Sequence, residues 1–287
     1  MKFLTLPKAL YLNPNISKIL YDQQSCILFK KLNENLLQRK KICTSHSFIY
    51  VIKGCVEIKT PQGEVISVNA GELLFMPRDC YLISDFLTKD KSIEMYLIFI
   101  AHDIVSSFIA QKIQQESSSL SNSVVCKIEP NQSVKQYFAT IKPVYTNIEN
   151  NRDLLKLKIL EFLHLIYASN KSEIMTALST SEYNKRHRSL SSLMLENFDK
   201  NLNIADFASL SGRSLSTFNR DFKRRFGKPP KQWLIEARMQ KAAQLLADDC
   251  SVGDCAIAVG YMNVSHFIKS YKSIHGKKPS EMKKSNL

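Results

Sequence analysis

Residues 203–226 have the sequence NIADFASLSGRSLSTFNRDFKRRF, which predicts two helices joined by a tight turn. Asn203 can cap a first, apolar-periodic helix, because its side chain accepts hydrogen bonds from free backbone amides. Gly212 ends that helix. Ser214 caps a second helix over residues 215–226, which carries apolar residues on one face and basic residues largely off it. A short helix, a glycine turn and a basic amphipathic helix are together typical of a helix-turn-helix unit.

The same arrangement recurs closer to the end of the sequence. Ser251 caps a short apolar helix that ends at Gly260, and Asn263 caps a helix over residues 264–275. Between the two units, residues 231–246 have the sequence KQWLIEARMQKAAQLL, a strong helical pattern without glycine or proline. The sequence therefore predicts an all-α C-terminal domain in which one helical connector carries two helix-turn-helix units.

The distribution of charge indicates a polyanionic partner for this domain. The chain has 40 Lys and Arg residues against 26 Asp and Glu residues, a net charge of +14 at pH 7. Residues 188–287 hold 17 basic and 9 acidic residues, or +8, and residues 211–233 hold seven basic residues against the single Asp221, or +6. A local surplus of this kind is typical of a surface that contacts nucleic acid.

Residues 202–284 resemble the AraC/XylS family of transcription regulators without a gap. The matching residues are Phe222, Gly227 and Pro230, then Ala237-Arg238, Ala242-x-x-Leu245-Leu246, Ala256-x-x-x-Gly260-Tyr261 and Gly276-x-x-Pro279-Ser280. Cys255, Tyr261, Tyr271 and Met282 depart from the family's usual residues but suit core positions. The resemblance implies a cytoplasmic DNA-binding regulator, commonly an activator, that works with RNA polymerase.

The resemblance also implies which residues contact DNA. Helices 215–226 and 264–275 would enter two successive major grooves of double-stranded DNA, which recur about 34 Å apart on one face of the duplex. The expected base contacts are Ser216, Asn219 and Arg220 from the first helix and Ser265, His266 and Lys269 from the second. Arg220 suits guanine and Asn219 suits adenine, whereas His266 has packing at the helix start as an equal alternative. The expected phosphate contacts are Lys223, Arg224, Lys228, Lys231 and Lys272.

Other residues of these helices have structural interpretations. Arg225 and Lys241 are expected to be solvated surface charges, because charged residues are mostly exposed. Leu215 and Ile274 are expected on the faces that carry the aromatic side chains. The residues expected in the core are Phe218, Phe222, Trp233, Phe267 and Tyr271.

Short apolar runs of strand length fill residues 26–101, separated by turn residues such as Gly54 and Gly71, and their close spacing predicts a barrel or a sandwich. The runs are CILFKKL, SFIYVIKG, CVEIKT, EVISV, ELLFMP, CYLISDF and IEMYLIFIA. A hairpin SFIYVIKGCVEIKT and the later VNAGELLFMP are similar to the cupin-like β-barrel that precedes AraC-type DNA-binding domains.

The predicted fold is therefore α+β with two domains. The boundary is placed near residue 180, in a polar and charged segment. The N-terminal domain covers residues 1–180, with a cupin-like β-barrel over 20–101 and a helical dimerisation segment over 102–170. The C-terminal domain covers residues 181–287 and contains the two helix-turn-helix units.

The last helical pattern of the first domain, residues 153–168, is apolar on more than one face. Either this helix is sandwiched inside the domain, or its excess face meets another subunit and makes the protein a homodimer. The layout of barrel, leucine-rich helix and connector is similar to that of AraC-type activators of type III secretion and virulence genes, which respond to protein partners. A regulatory protein and a small-molecule effector held in an apolar barrel both stay open as the input.

Catalytic and metal-binding patterns are missing from the sequence. In the predicted barrel His46 stands alone and no His-x-His precedes Glu57 or Glu72, so a metal-dependent cupin enzyme would lack its ligands. His46 is expected to be a surface or hydrogen-bonded polar group. There is no glycine-rich phosphate loop and no Gly-x-Ser-x-Gly, so neither an enzyme nor a cofactor is expected.

Two further classes of protein are disfavoured by spacing and length. The seven cysteines are scattered without a Cys-x-x-Cys pair, which disfavours a zinc finger and a disulfide framework. The longest apolar run, residues 95–101, is far shorter than the roughly 20 residues that cross a bilayer.

An architectural DNA binder with little sequence preference remains the alternative to a specific regulator.

Overall fold

The computed structural model describes residues 4–22, 24–86, 92–113, 125–187 and 189–282. The chain divides into two compact units, one ending at Arg186 and the other beginning at His187. Within the described residues, the first unit contains all the strands and the second is helical, which confirms the α+β fold class. No helix in these ranges is both long enough and apolar enough to span a membrane.

Eleven strands in the described part of the first unit form two sheets. The strands are β1 Leu4–Leu6, β2 Ile16–Tyr21, β3 Cys26–Leu32, β4 Leu36–Cys43, β5 His46–Lys53, β6 Cys55–Lys59, β7 Val65–Asn69, β8 Leu73–Met76, β9 Cys80–Phe86, β10 Ile93–Ile100 and β11 Cys126–Ile128. One sheet has the order β1-β4-β9-β6-β7, and the other has the order β11-β8-β5-β10-β3-β2.

The expectation of a closed barrel is wrong for the described residues. The two sheets do not share a ladder, and β1, β7, β11 and β2 remain edge strands. The predicted hairpin between β5 and β6 is also wrong, because β5 pairs with β8 and β10 while β6 pairs with β7 and β9. Gly54 carries the chain from one sheet to the other with φ +88°, and a Cβ there would lie 2.8 Å from the Phe86 carbonyl oxygen. Only glycine fits this crossing without strain.

Helices cover the free face of the six-stranded sheet. They are α1 His102–Ile113, α2 Gln132–Tyr145, α3 Arg152–Ser169 and α4 Lys171–His187. Phe48 and Tyr96 pack toward the helices, whereas Ile49 and Leu97 pack toward the five-stranded sheet. A sheet buried on both faces explains why β10 is continuously apolar rather than alternating.

Most of the apolar surface of α3 is sandwiched within this unit. Ile159, Phe162, Leu163 and Ile166 are fully buried, and Phe162 makes an edge contact with Phe48 of the sheet. Leu157 lies outside this core and is 63% exposed. Packing inside the domain therefore accounts for most of the apolar pattern of the helix, and one exposed leucine remains.

A buried trio of charges links the two sheets. Lys30 Nζ on β3 lies 2.7 Å from Asp85 Oδ2 on β9, and Lys41 Nζ on β4 lies 3.8 Å from the same oxygen. Burial and the neighbouring Lys41 lower the pKa of Lys30 to about 8, against the attraction of Asp85. Although burial opposes it, the two lysines hold the pKa of Asp85 below its ordinary value. The space beside the trio holds only about one or two water molecules.

This trio predicts how stability changes with pH. In the unfolded chain Lys30 keeps its proton up to its ordinary pKa of 10.5, whereas in the folded chain it loses the proton above about 8. The unfolded state therefore binds more protons between these two values, so raising the pH stabilises the wild type relative to Lys30→Met, by on the order of 2 kcal/mol. Urea unfolding followed by far-UV circular dichroism measures this difference.

The matched control is Lys31→Met. Lys31 is the next residue on β3, but its side chain is 58% exposed and pairs with Glu94. Its stability curve should run parallel to that of the wild type over the same pH range. A Lys30→Met curve that also runs parallel, or that gains on the wild type as the pH rises, would contradict the assignment.

Seven helices make up the described part of the second unit. They are α5 Leu190–Leu195, α6 Ile204–Leu210, α7 Leu215–Phe226, α8 Pro230–Ala247, α9 Val252–Ala258, α10 Val264–His275 and α11 Pro279–Met282. α6 and α7 form the first helix-turn-helix unit, α9 and α10 form the second, and α8 is the connector. The predicted core residues Phe218, Phe222, Phe267 and Tyr271 are fully buried, and Trp233 is partly buried.

Candidate nucleic-acid interface

Reciprocal capping fixes the first helix-turn-helix unit. Asn203 Oδ1 accepts from the Asp206 amide and Asp206 Oδ2 accepts from the Asn203 amide, each at 2.9 Å. This capping box satisfies two backbone donors that the start of α6 would otherwise leave free. Gly212, with φ +70°, makes the turn, and Ser214 Oγ then accepts from the Thr217 amide to start α7.

The second unit repeats this construction with the same helix lengths. Ser251 Oγ accepts from the Asp254 amide at 3.1 Å at the start of α9, and Asn263 Oδ1 accepts from the His266 amide at 3.0 Å at the start of α10. α6 and α9 each have 7 residues, and α7 and α10 each have 12. Gly227 and Gly276, both in the left-handed conformation, end the second helix of each unit. We call these two helices, α7 and α10, the recognition helices.

The connector α8 holds each recognition helix by its aromatic face. Near its start, the Trp233 ring makes an edge contact with Phe222 of α7, with ring centroids 5.9 Å apart. Further along, Met239 shares a core with Phe267 and Tyr271 of α10. Because both helices face the connector with their aromatic side chains, their polar faces point away from the core.

The loop before α6, residues 198–202, is held both by the connector and by the second helix-turn-helix unit; we call these contacts the clamp. Arg238 of α8 donates to the carbonyl oxygens of Phe198 and Lys200 at 2.6 Å and to that of Leu202 at 2.9 Å. Burial lowers the pKa of Arg238, yet its guanidinium group gains three backbone acceptors. From the other side, Gly260 is packed so tightly that a Cβ would lie 2.6 Å from the Lys200 carbonyl oxygen. The clamp therefore ties the first helix-turn-helix unit to the turn of the second helix-turn-helix unit.

The clamp predicts that Gly260→Ala destabilises the DNA-binding unit. The new methyl group would meet backbone atoms at a residue with φ +81°, and both effects together should cost about 2–4 kcal/mol. Urea unfolding followed by Trp233 fluorescence measures this, because Trp233 is the single tryptophan of the chain.

Gly253→Ala is the matched control. Gly253 lies in α9, and a Cβ there would have only the Ser251 hydroxyl within 4.0 Å. We expect this variant to be unchanged or up to about 1 kcal/mol more stable, as for other Gly→Ala changes in helices. Equal unfolding free energies for the two variants would show that the loop is not held against Gly260.

Nine of the eleven residues expected to contact DNA lie on the two recognition helices and are exposed, and the other two are Lys228 and Lys231. Those on α7 are Ser216, Asn219, Arg220, Lys223 and Arg224, and those on α10 are Ser265, His266, Lys269 and Lys272. Counted from the first residue of each helix, Arg220 corresponds to Lys269 and Lys223 corresponds to Lys272. The two faces are therefore similar in charge, although Asn219 corresponds to the partly buried Ile268.

Three other basic residues make contacts within the unit. Lys228, an expected phosphate contact, forms an ion pair with Glu236 of the connector, and this hydrogen bond together with one from Gln232 lowers the pKa of Glu236. Lys241 lies 2.6 Å from the Asp199 carboxylate, so it braces the clamped loop rather than being simply solvated. Arg225 is exposed and donates to the Ser191 hydroxyl at 3.2 Å.

Two members of the apolar helix faces are only partly covered. Leu215 on α7 is 48% exposed and Ile274 on α10 is 44% exposed, although the aromatic residues of the same faces are fully buried. Leu215 occupies the first position of its helix. Ile274 belongs to the next feature, a groove in the same unit.

A groove runs between the start of α8 and α10. Among its lining residues are Lys231 and Gln232 from the connector and His266, Lys269 and Ser270 from α10. Two expected base contacts and one expected phosphate contact therefore share one concave surface. The sequence did not single out Gln232 and Ser270, because uncharged polar residues on a helix carry no distinctive pattern.

His46 and Glu72, the residues weighed for a metal role, have structural contacts. His46 is fully buried, its ring lies 5.9 Å from that of Phe75, and its Nδ1 lies 3.4 Å from the Ser181 hydroxyl. Glu72 accepts from the Asn69 amide at 2.7 Å and pairs with Lys127 at 2.8 Å. In the ranges that the structure describes, no group of three or more His, Cys, Asp or Glu residues could hold a metal ion.

Comparisons with known proteins identify both halves of the chain. Residues 46–178 match the family model of the ExsA N-terminal regulatory domain, and residues 207–285 match that of a helix-turn-helix domain. The HTH-type transcriptional regulator ExsA of Pseudomonas aeruginosa is 28% identical over 220 residues, which cover 73% of this chain and 76% of that protein. The chain thus combines an ExsA-type regulatory domain with an AraC-type helix-turn-helix domain.

Another relative and a solved structure are similar to most of this chain. The thermoregulatory protein LcrF of Yersinia pestis is 25% identical over 228 residues, covering 76% of this chain and 82% of LcrF. The structure of ToxT from Vibrio cholerae with a bound unsaturated fatty acid covers 91% of this chain and 95% of its own, at 15% identity and a TM-score of 0.44. With these two domains and the relatives ExsA and LcrF, the chain is a DNA-binding transcription regulator.

Proposed function

We propose that this protein activates transcription by placing α7 and α10 in two successive major grooves of its target duplex. The observation that carries the proposal is the repeated construction of the two units on one 18-residue connector. A major groove admits one helix, and grooves on one face of the duplex recur about 34 Å apart. We therefore assign one groove to each of the two similar helices that the connector holds.

The exposed side chains support a division of labour between bases and phosphates. Arg220 and Asn219 have the donor and acceptor geometry for guanine and adenine edges, and Ser216 lies on the same exposed face. On α10 the base contacts are Ser265, His266 and Lys269. We assign Lys223, Arg224 and Lys272 to phosphates, because their charge is carried on long, exposed side chains toward the middle and end of each helix.

Arg220→Ala and Lys223→Ala test this division. Loss of a bidentate base contact should cost about 1–3 kcal/mol on the target duplex and relax selectivity at one base pair. Loss of a phosphate contact should weaken all duplexes alike and flatten the salt dependence by about one unit in the log–log slope. Fluorescence anisotropy on the target and on single-base variants measures both quantities.

Arg225→Ala is the control for charge removed from the same helix. We assign Arg225 no DNA contact, so it should change neither the selectivity profile nor the salt slope as strongly as the other two. If Arg220→Ala and Lys223→Ala behave alike on every duplex, the division between base and phosphate contacts is wrong.

An architectural binder is the second candidate, favoured only by the large basic surplus of the domain. Such a protein would bind a scrambled duplex as tightly as any sequence selected from a random pool. A regulator should prefer the selected duplex by a factor of at least about 10³. Competition between the two duplexes at about 50 and about 200 mM salt separates the candidates, because the nonspecific part falls steeply with salt.

We further infer that the N-terminal unit, which ends at Arg186, receives its signal from a protein, either a second copy of this chain or a regulatory protein. Two observations favour a protein over a small ligand: the space beside the buried trio is close to filled, and Leu157 of α3 is exposed beside the helical layer. RNA polymerase is the proposed partner for activation, and the cytoplasm is the proposed location. A small-molecule effector bound beside the trio would have to enlarge that space.

A further inference from the structure

One carboxylate, that of Asp221, lies among the seven basic residues of the segment 211–233. Asp221 Oδ1 lies 3.3 Å from Arg224 Nη2 and 3.6 Å from Arg220 Nε, and its Oδ2 lies 3.4 Å from Arg213 Nε. The Asp221 side chain is 17% exposed. Three arginines therefore surround the single acid of residues 211–233.

The three arginines differ in exposure. Arg213, in the turn before α7, is 21% exposed and also donates to the Ser211 carbonyl oxygen at 3.3 Å. Arg220 and Arg224, one residue before and three residues after Asp221, are 72% and 77% exposed. Arg213 thus anchors Asp221 to the turn. Arg220 and Arg224 each contact Asp221 through one nitrogen atom, while their side chains remain largely exposed.

We propose that Asp221 is a specificity-determining positioning residue of the first recognition helix. The proposal deepens the proposed function and depends on it. Asp221 competes with DNA phosphates for the guanidinium groups of Arg220 and Arg224. A duplex recruits Arg220 fully only where it offers better hydrogen bonds than the carboxylate does, as the paired acceptors of guanine do.

The same carboxylate acts differently on the two kinds of duplex. Toward a scrambled duplex it subtracts charge from the surface that would meet phosphates, so nonspecific affinity is lower. Toward the target it limits the rotamers of Arg220 and Arg224 before binding, which reduces the entropy lost on contact. Both effects widen the ratio between target and nonspecific affinity.

The second recognition helix provides an internal comparison. Counted from the first residue of each helix, Asp221 corresponds to Ser270, while Arg220 corresponds to the cationic Lys269. Ser270 is partly buried beside Lys269 in the groove. α10 therefore carries a similar cation without the competing carboxylate, and we expect α7 to be the more selective of the two helices.

Asp221→Asn in the full chain tests the proposal. The probes are a duplex selected from a random pool by the wild type and a scrambled duplex of the same composition. We expect the scrambled duplex to bind about 5- to 10-fold more tightly at low salt, with its salt slope steeper by about one unit. The selected duplex should change by less than about 3-fold, so the affinity ratio falls.

Three more variants control for net charge, side-chain chemistry and folding. Asp248→Asn makes the same charge change at an exposed position outside the cluster and should leave the ratio unchanged. Asp221→Glu keeps the carboxylate and should retain most of the wild-type ratio. Asp221→Ser introduces the residue that α10 carries at this position, so it replaces Asp221→Asn if Trp233 fluorescence shows that the asparagine variant is unfolded.

The outcomes separate the two proposals. If the wild type does not distinguish the selected from the scrambled duplex, the proposed function fails. If the wild type distinguishes them and folded Asp221→Asn or Asp221→Ser keeps the same ratio, only the role of Asp221 is overturned. The same holds if both duplexes gain affinity by an equal factor, because that result reflects net charge alone.

Discussion

The clamp formed by Arg238 is the constraint on which the DNA-binding unit depends. One guanidinium group on the connector holds three carbonyl oxygens of the loop between α5 and α6. The same loop rests against Gly260, where no side chain would fit. Because an unpaired carbonyl that is partly buried costs free energy, the loop, the connector and the turn of the second helix-turn-helix unit stabilise one another. This is why two similar helix-turn-helix units can act as one surface rather than as two tethered domains.

The basic surface that can meet DNA is smaller than the net charge indicates. Within the described part of the unit, Lys228 and Lys241 pair with acids and brace the connector, whereas Arg220 and Arg224 share one acid and still face outward. Counting charges along the sequence therefore overstates the number of cations that can contact a duplex. Of the cations expected to contact DNA, the exposed ones lie on α7 and α10, where the aromatic residues fix the direction of the polar face, and at Lys231 near the start of α8.

Local patterns predicted local structure well. The caps at Asn203, Ser214, Ser251 and Asn263 all have the expected hydrogen bonds, since a cap depends only on residues close in sequence. Residues 26–101 also contain the seven predicted strands. The strand β4 was missed because its basic run masks the alternation, and its Lys41 is buried beside an acid that is distant in sequence.

Local sequence patterns could not predict which residues pair when they are far apart in the sequence. The apolar runs on either side of Gly54 fit a hairpin as well as a crossing between sheets, so the closed barrel was a wrong expectation. The Arg238 clamp was invisible for the same reason, because its acceptors are backbone groups 36 to 40 residues away. The exposed faces of α7 and α10 were easier to predict than the fold of the N-terminal unit, because the residues of one helix face recur within a few turns.

Hydroxyl-radical footprinting of the full chain on its selected duplex tests the central claim most directly. If α7 and α10 occupy successive grooves, two protected windows should lie on one face of the duplex, about 10 base pairs apart from centre to centre. A single window shorter than one helical turn would contradict the account, and so would uniform protection along the duplex.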